Sequence, residues 1–224
     1  MSTISKENYI KAVYHLNRNG EDSVTTSKIA QTLEITNAAT SDMAKKLSES
    51  GLLNYEKYKG VELTGSGEKM ALKIIRRHRL WEIFLMEVLG LSWSEVHDQA
   101  ELLEHTSSDL LMDRIEEFLN FPKFDPHGDP IPDKNGVLPA HISGICLKDA
   151  EVNKRYTVVR VDDKQSEFIE YISRLGINIS CSLNIIEKLS FDNSVMIGID
   201  GNKHLISEKA SEKIFVECEE GRNK

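Results

Sequence analysis

The segment between residues 25 and 64 places the strongest constraint on how this chain can fold. Hydroxyl side chains that can cap a helix open a short helical stretch there, and a second stretch runs over residues 37–50 until Gly51 ends it. Only residues 34–36 separate the two stretches. Two short β-rich stretches follow and turn near Gly60. A short helix, a three-residue turn, a helix and a hairpin are the plan of a winged helix-turn-helix.

A further helix, from about Lys6 to Asn17, precedes this module. In a winged helix-turn-helix, the second helix of the motif enters the major groove, where short polar residues approach base edges and lysines contact phosphate. The residues expected to face DNA lie in both motif helices and in the wing: Thr26, Ser27, Thr36, Asn37, Ala38, Ala39, Thr40, Ser41, Lys45, Lys46, Lys57 and Lys59. A helical bundle without DNA function and a winged helix that binds protein are the alternatives.

Potential metal ligands share one side of a helix that begins near Ser94: His97, Glu101, Glu104 and His105. Apolar residues between them place this group at the border of a core, where charged groups need a partner. A second helix, from about Ile74 to Val88, carries His78 and Glu82 four residues apart. The two helices can converge on one metal centre or on two. Nitrogen and carboxylate ligands without a thiolate favour a cation such as Mn(II) or Fe(II).

The same residue types also occur in three other settings. Histidine and glutamate on a helix are commonly solvated surface residues. A zinc protease requires the string H-E-x-x-H, which is absent from the sequence. A di-iron carboxylate bundle requires Glu-x-x-His on two helices. Here Glu104 follows Glu101 at that spacing, and Leu85 follows Glu82, so the di-iron pattern is not met.

Composition limits the class of protein. The chain has 224 residues, of which 40% are hydrophobic, enough for two or three small domains. It contains no apolar run of membrane-spanning length, and the N-terminal residues lack the pattern of a signal peptide. Three widely spaced cysteines argue against a disulfide framework. These features predict a cytoplasmic protein that does not contact a membrane.

The net charge of −8 is unevenly distributed along the chain. Residues 1–79 hold 13 Lys and Arg against 9 Asp and Glu, a net of +4, whereas residues 80–224 hold 15 against 27, a net of −12. The mildly basic part can therefore meet phosphate, while the acidic remainder can concentrate cations.

The second half of the chain changes from helical to β-rich patterns. Residues 121–132 are rich in proline and leave the helix, and Asp125 and His127 are two apart in an extended stretch, so they can face a common ion. Residues 133–140 are expected to be a linker. Between residues 145 and 218, β-rich runs surround one short helix, which predicts a five-stranded SH3-like barrel. The fold class is therefore mainly α with a small β domain, and bulky residues in the middle helices favour dimerisation.

Several strings between residues 77 and 132 carry a family resemblance that extends along nearly the whole chain: Arg77-His78-Arg79-Leu80, Glu95-Val96-His97-Asp98, Leu103-Glu104-His105-Thr106-Ser107-Ser108-Asp109, Phe121-Pro122-Lys123 and Pro126-His127-Gly128-Asp129-Pro130-Ile131-Pro132. With them the chain resembles the DtxR/MntR family of metal-dependent transcriptional repressors. The resemblance implies a homodimer in which metal organises two winged helices on double-stranded DNA with a palindromic operator. It also implies three domains: residues 1–72 for DNA binding, 73–142 for dimerisation and metal binding, and 143–224 as an SH3-like, FeoA-like domain.

The resemblance also implies two metal sites. The primary site would use Glu101, Glu104 and His105, with Asn8 from the first helix at a position where the family commonly has aspartate or methionine. An oxygen donor at Glu101 favours Mn(II). The ancillary site would take one of two sets: His78, Glu82 and His97, or His78, Glu82, Asp125 and His127 with an acidic residue of the barrel. For that acidic residue Asp162 is the first candidate, followed by Asp163 and Glu167.

Together these observations predict a dimeric Mn(II)-responsive repressor that controls metal-uptake genes and catalyses no reaction. An Fe(II)-responsive repressor that uses the same sites is the alternative within the class. A metal-dependent hydrolase is an alternative from another class, because His and Glu clusters also activate water. A metal-binding protein without DNA function is the third alternative.

Overall fold

The structure is a computed structural model that describes residues 3–18, 24–56, 59–140 and 144–219. The chain forms two compact units. The first is assembled from Met1–His78, Glu101–Ile115 and Pro132–Leu138. The second is assembled from Arg79–Ala100, Glu116–Ile131 and Pro139–Lys224. Within the described residues, no helix has the length and apolar character needed to cross a bilayer.

The N-terminal elements of the first unit are those of a winged helix-turn-helix: α1 (Thr3–Arg18), α2 (Thr26–Thr32), α3 (Asn37–Glu49), β1 (Leu53–Glu56) and β2 (Gly60–Leu63). The helix starts follow the expected capping chemistry. The side chain of Thr25 accepts a hydrogen bond from Lys28 N, and that of Thr36 accepts one from Ala39 N. The predicted winged helix-turn-helix is therefore present.

A single apolar cluster holds this module together. The two strands pair antiparallel, from Leu53 opposite Leu63 to Glu56 opposite Gly60. Its largest fully buried side chains come from α1, α2, α3, β1 and the helix that follows: Tyr9, Ile10, Ile29, Leu47, Leu53 and Ile75. Because α1 supplies part of this core, the position of α1 and that of the DNA-binding motif are linked.

The middle helices are α4 (Gly65–Ile83), α5 (Val96–Leu103) and α6 (Asp109–Phe118). The helix predicted from residue 74 begins earlier, where the Thr64 hydroxyl accepts a hydrogen bond from Gly67 N. It continues as one π-helical stretch, Phe84–Val88. The helix predicted from residue 94 begins at Val96. Pattern alone locates helix ends only to within a few residues.

The second unit contains an antiparallel sheet formed by β3 (Ile145–Cys146), β4 (Arg155–Val161), β5 (Ser182–Lys188), β6 (Val195–Ile199), β7 (Asn202–Ile206) and β8 (Ile214–Cys218). The strand order is β3-β8-β4-β5-β6-β7, with α7 (Ser166–Arg174) and α8 (Glu208–Ser211) as helical connections. The expected number of five strands was wrong, because the sheet of the described residues has six. Asp200 and Gly201, both with positive φ, form the two-residue turn that pairs β6 with β7.

Candidate metal centre and DNA-binding surface

Acidic and imidazole side chains converge in the second unit. They are Glu82 near the end of α4, His97 in α5, Asp125 and His127 in the loop after α6, and Asp163 just after β4, and we call them the Glu82 cluster. His97 Nδ1 lies 3.4 Å from Glu82 Oε1 and 3.3 Å from Asp163 Oδ2. His127 Nδ1 lies 3.5 Å and 3.6 Å from the same two oxygens. One carboxylate pair therefore faces both imidazoles.

Local backbone geometry places His127 in this cluster. Asp125 Oδ1 accepts hydrogen bonds of 2.9 Å from His127 N and from Asp129 N, which closes a turn. Gly128 follows with a φ of +88°, and a Cβ there would lie 2.1 Å from Val159 O. Only glycine fits this close approach without a shift. The loop is thereby fixed against strand β4.

A carbonyl group orients the His127 ring. His127 Nε2 lies 3.2 Å from Trp93 O, and because a carbonyl oxygen can only accept, Nε2 is the nitrogen that donates. Nδ1 then points to the carboxylates, and this buried atom has no hydrogen-bond partner among the described residues. A neutral imidazole held by its Nε2–H presents Nδ1 as a metal ligand.

The electrostatics of the cluster reflect a surplus of acid. Burial lowers the pKa of His97, but hydrogen bonds with Asp163 and Glu82 raise it to about 10. Burial likewise lowers the pKa of His127, and the carboxylates of Glu82, Asp163 and Asp125 raise it to about 9. Both imidazoles therefore hold an extra proton at neutral pH in the absence of another cation.

The two aspartates respond in opposite directions. Burial, with the charges of Glu82 and Asp129, raises the pKa of Asp125 well above its usual value. For Asp163, burial raises the pKa, but the hydrogen bond from His97 and the nearby imidazole charges lower it to about 2. Buried carboxylates and imidazoles within reach of one point are the donor set that a divalent cation such as Mn(II) or Fe(II) takes. The residues of the Glu82 cluster thus fit such an ion.

The first unit contains a second ionic group, which we call the Glu104 cluster: Glu7 and Lys11 of α1, His78 of α4, Glu101 of α5, and Glu104 and His105 after α5. Lys11 Nζ donates to Glu101 Oε1 at 2.6 Å and to Glu104 Oε2 at 2.7 Å. Burial lowers the pKa of Lys11, but the charges of Glu104 and Glu101 raise it above its ordinary value. The group therefore already contains a cation.

Histidines complete the Glu104 cluster. His78 Nδ1 lies 2.7 Å from Glu104 Oε2. His105 Nδ1 lies 2.6 Å from Glu7 Oε2, and its Nε2 lies 3.3 Å from Glu104 Oε1. Glu104 is fully buried, so its negative charge is shielded from water and must be offset by these neighbours.

The residues that α1 contributes to this cluster differ from the one that the sequence predicted. Asn8 was expected to face Glu104, but no hydrogen bond or ion pair found among the described residues joins Asn8 to this cluster, and its Oδ1 is buried without a partner there. Glu7 and Lys11 take that place because residues four apart share one face of a helix, whereas residue 8 is rotated by about 100° from residue 7. The i, i+4 pair of opposite charges was the sequence signal that could have found them.

The barrel residue of the Glu82 cluster also differs from the first candidate. Asp163 contacts His97 and His127, whereas Asp162 Oδ1 accepts a hydrogen bond from Lys164 N. Side chains alternate in direction in extended chain, so neighbouring residues at the end of β4 point to different sides. Asp163, the second candidate, is therefore the one that contacts these imidazoles.

The predicted DNA surface is largely accessible in the first unit. Most of its described residues are exposed, namely Ser27, Thr36, Asn37, Ala38, Ala39, Lys45, Lys46 and Lys59, while Thr26 and Ser41 are half-buried. Thr40 was expected to face DNA, but it is fully buried and its hydroxyl donates to Thr36 O at 3.0 Å. Ion pairs of 2.5 Å join Lys46 to Asp42 and Lys59 to Glu56, and exposed pairs of this kind are weak enough to exchange for phosphate. Lys57 lies outside the described residues.

Comparison with family models places known domains along the chain. Residues 1–61 match the N-terminal DNA-binding domain of iron-dependent repressors. Residues 64–133 match the metal-binding and dimerisation domain of the same repressors. Residues 145–218 match the FeoA domain.

Individual relatives agree with these matches. The iron-dependent repressor IdeR of Mycobacterium leprae is 36% identical over 126 residues, 56% of this chain, and the chain spans only about half (54%) of that relative. The regulator MntR of Oceanobacillus iheyensis is 35% identical over 125 residues, 56% of this chain and 84% of MntR. A structure described as a manganese-dependent transcriptional repressor complexed with manganese has a TM-score of 0.88 at 34% identity and covers 95% of this chain and 99% of its own. The structure of ScaR with bound Zn²⁺ has a TM-score of 0.81 at 32% identity, covering 95% of this chain and 98% of its own.

Proposed function

Since the chain belongs to the DtxR/MntR family of metal-dependent transcriptional repressors, we propose that it is a Mn(II)-responsive repressor of metal-uptake genes. The family consists of repressors and not of enzymes, so no catalytic step is assigned. The observation that carries the proposal is the Glu82 cluster, where the carboxylates of Glu82 and Asp163 lie beside both imidazoles and Asp125 lies near Glu82 and His127.

The donor set supports Mn(II) as the regulatory metal. Glu82, Asp125 and Asp163 supply oxygen atoms, and manganese prefers oxygen donors. Fe(II) is the second candidate, which the imidazoles of His97 and His127 favour as nitrogen donors. The similarity to IdeR, an iron-dependent repressor, also supports it.

We assign the metal ligands to Glu82, His97, His127 and Asp163, with Asp125 beside them. When bound, a divalent cation supplies the positive charge that the protons on His97 and His127 otherwise provide. Glu82 lies near the end of α4, His97 lies in α5, and Asp163 lies just after β4. Ligation by all three residues would fix these elements of the second unit at one point. The metal would then shift the protein toward the conformation in which all three ligands are in place, because it binds that conformation better.

We further propose that α3 enters the major groove and that a homodimer reads a palindromic operator. The exposed residues of α3 and the match to a metal-binding and dimerisation domain support this arrangement. A two-fold dimer places two recognition helices on half-sites related by the same symmetry. The proposed domains are residues 1–72, 73–142 and 143–224, supported by the three family matches, and the protein would act in the cytoplasm with its DNA.

A selection experiment tests the proposed function without knowledge of the operator. The full chain is incubated anaerobically with a pool of randomised DNA duplexes in the presence of Mn(II), Fe(II) or a chelator. We expect a palindromic sequence to be enriched with Mn(II) and not with the chelator. Equal enrichment with the chelator would refute metal control, and enrichment with Fe(II) alone would make iron the regulatory metal.

A further inference from the structure

The Glu104 cluster holds an ammonium group where its carboxylates could hold a metal. The ligand atoms of His78, Glu101 and Glu104 lie within 4.8 Å of one another, which is the spacing of a potential metal site. Lys11 Nζ lies within 2.7 Å of an oxygen of each glutamate and 3.3 Å from His78 Nδ1. The Lys11 side chain is only 12% exposed, so its position is enclosed by protein.

A divalent ion and this ammonium cannot share the site. An ion bound by Glu101 and Glu104 would need the same oxygen atoms to which Lys11 donates. It would also place two positive charges beside a third at a distance where buried like charges repel strongly. Lys11 would have to leave, and it would then lose both of its carboxylate partners.

We propose that Lys11 is a tethered cation that replaces a divalent metal in the Glu104 cluster, so that metal control of this chain passes through the Glu82 cluster alone. The inference rests on the proposed metal-dependent function. It departs from the sequence-based expectation that Glu101, Glu104 and His105 form the primary metal site. The inference also means that the ion pair between Lys11 of α1 and Glu104 is present whether or not metal is bound.

Counting bound metal in variants of the full chain tests this inference directly. Equilibrium dialysis against Mn(II), followed by metal analysis, should give one equivalent per protomer for the wild type. Lys11→Met should give two, because the freed carboxylates of Glu101 and Glu104 then require a cation. Lys6→Met is the matched control, since it removes a lysine from the same helix and should keep one equivalent. Two equivalents in the wild type, or no more metal in Lys11→Met than in the wild type, would overturn the inference.

Stability measurements give an independent readout. Breaking a buried ion pair should lower the Tm of metal-free Lys11→Met by on the order of 10 °C. Mn(II) should restore more of this loss than it adds to the double variant Lys11→Met/Glu104→Gln, in which the removed carboxylate charge offsets the removed ammonium charge. An equal Mn(II) response of the single and double variants would contradict replacement of a metal by Lys11.

A third arm remains informative even if Lys11→Met does not fold. The double variant Glu82→Gln/His127→Ala keeps Lys11 and should bind no Mn(II) at concentrations that saturate the wild type. If it retains one equivalent, the Glu104 cluster accepts metal despite Lys11 and the inference fails. If the wild type binds no Mn(II) while Lys11→Met binds one equivalent, the inference about Lys11 stands and the proposed role of the Glu82 cluster fails.

Discussion

The indole of Trp93 stacks on the imidazole of His127, with ring centroids 5.5 Å apart and planes inclined by only 13°. Trp93 Nε1 also donates to Pro126 O at 3.0 Å, and its own carbonyl oxygen lies 3.2 Å from His127 Nε2. One residue thus restrains the ring, the preceding backbone and the nitrogen that faces away from the carboxylates. Trp93 is therefore a positioning residue for the proposed ligand His127.

Replacement of Trp93 should weaken metal binding without removing a ligand. We expect Trp93→Leu to raise the Kd for Mn(II) by about 10- to 100-fold, as is common for residues that orient a metal ligand. Trp93→Phe retains an aromatic ring and should lose less. Calorimetric titration measures both values, and an unchanged Kd in Trp93→Leu would show that the stacking does not position His127.

Tryptophan fluorescence should report occupation of the Glu82 cluster. The sequence contains two tryptophans, Trp81 and Trp93, so a Trp81→Phe variant isolates the emission of the indole stacked on His127. Mn(II) should quench this emission with the same titration curve that metal analysis gives. Binding of one equivalent without any spectral change would place the metal away from His127.

Gly128 should be essential for the loop that carries His127. In Gly128→Ala the new Cβ would lie 2.1 Å from Val159 O, so backbone must move, and we expect a lower Tm and weaker Mn(II) binding. Gly201→Ala is the control, because Gly201 has a similar positive φ of +82° but nothing within 4 Å of the added atom. Equal losses in both variants would mean that backbone strain, and not the contact with Val159, is the cause.

The negative charge of Glu82 should be required for metal binding. Glu82→Gln keeps the size of the side chain but removes the charge that faces both His97 and His127. We expect it to lose Mn(II)-stimulated DNA binding while it remains folded. The control is Glu87→Gln, an exposed position in the π-helical stretch that follows α4. DNA binding of Glu82→Gln that still responds normally to Mn(II) would exclude Glu82 as a ligand.

The lysines of α3 should contribute to affinity and not to sequence preference. Removing the exposed Lys45 should weaken binding to all duplexes and reduce the slope of log Kobs against log salt by about 0.9 for one lost phosphate contact. Replacing Asn37 should change which operators are preferred. Lys209→Ala, which removes an exposed charge from α8, should leave both properties unchanged. A change of sequence preference in Lys45→Ala would contradict the proposed docking of α3.

The sequence was most informative where local chemistry decides the structure. Hydroxyl caps located the motif helices, and four residues of the Glu82 cluster, including Asp125 and His127, were candidates from spacing alone. The strand Asn202–Ile206 was missed although an Asp-Gly turn precedes it. The strand Ile145–Cys146 is two residues long, too short for any alternation to be read.

The sequence was less informative where distant residues meet. Lys11 and Glu104 are 93 positions apart, and no sequence pattern around either residue predicts that they are in contact. Thr40 shows a different limit, because a polar residue of a DNA-facing helix can still turn its hydroxyl to the backbone of the preceding turn. Which face a residue occupies depends on the packing of the whole module, and residue type alone does not settle it.

The first unit is assembled from three separate stretches of sequence, and this has a consequence during synthesis. As the chain leaves the ribosome, α1 can pack its apolar face into the winged-helix core as soon as residues 1–78 are free. Its ionic partners Glu101 and Glu104 arrive only later. Until then a nascent chain carries Lys11 without these carboxylates, and contacts of such long sequence separation close slowly. The DNA-binding module can therefore form before its attachment to the following helices does.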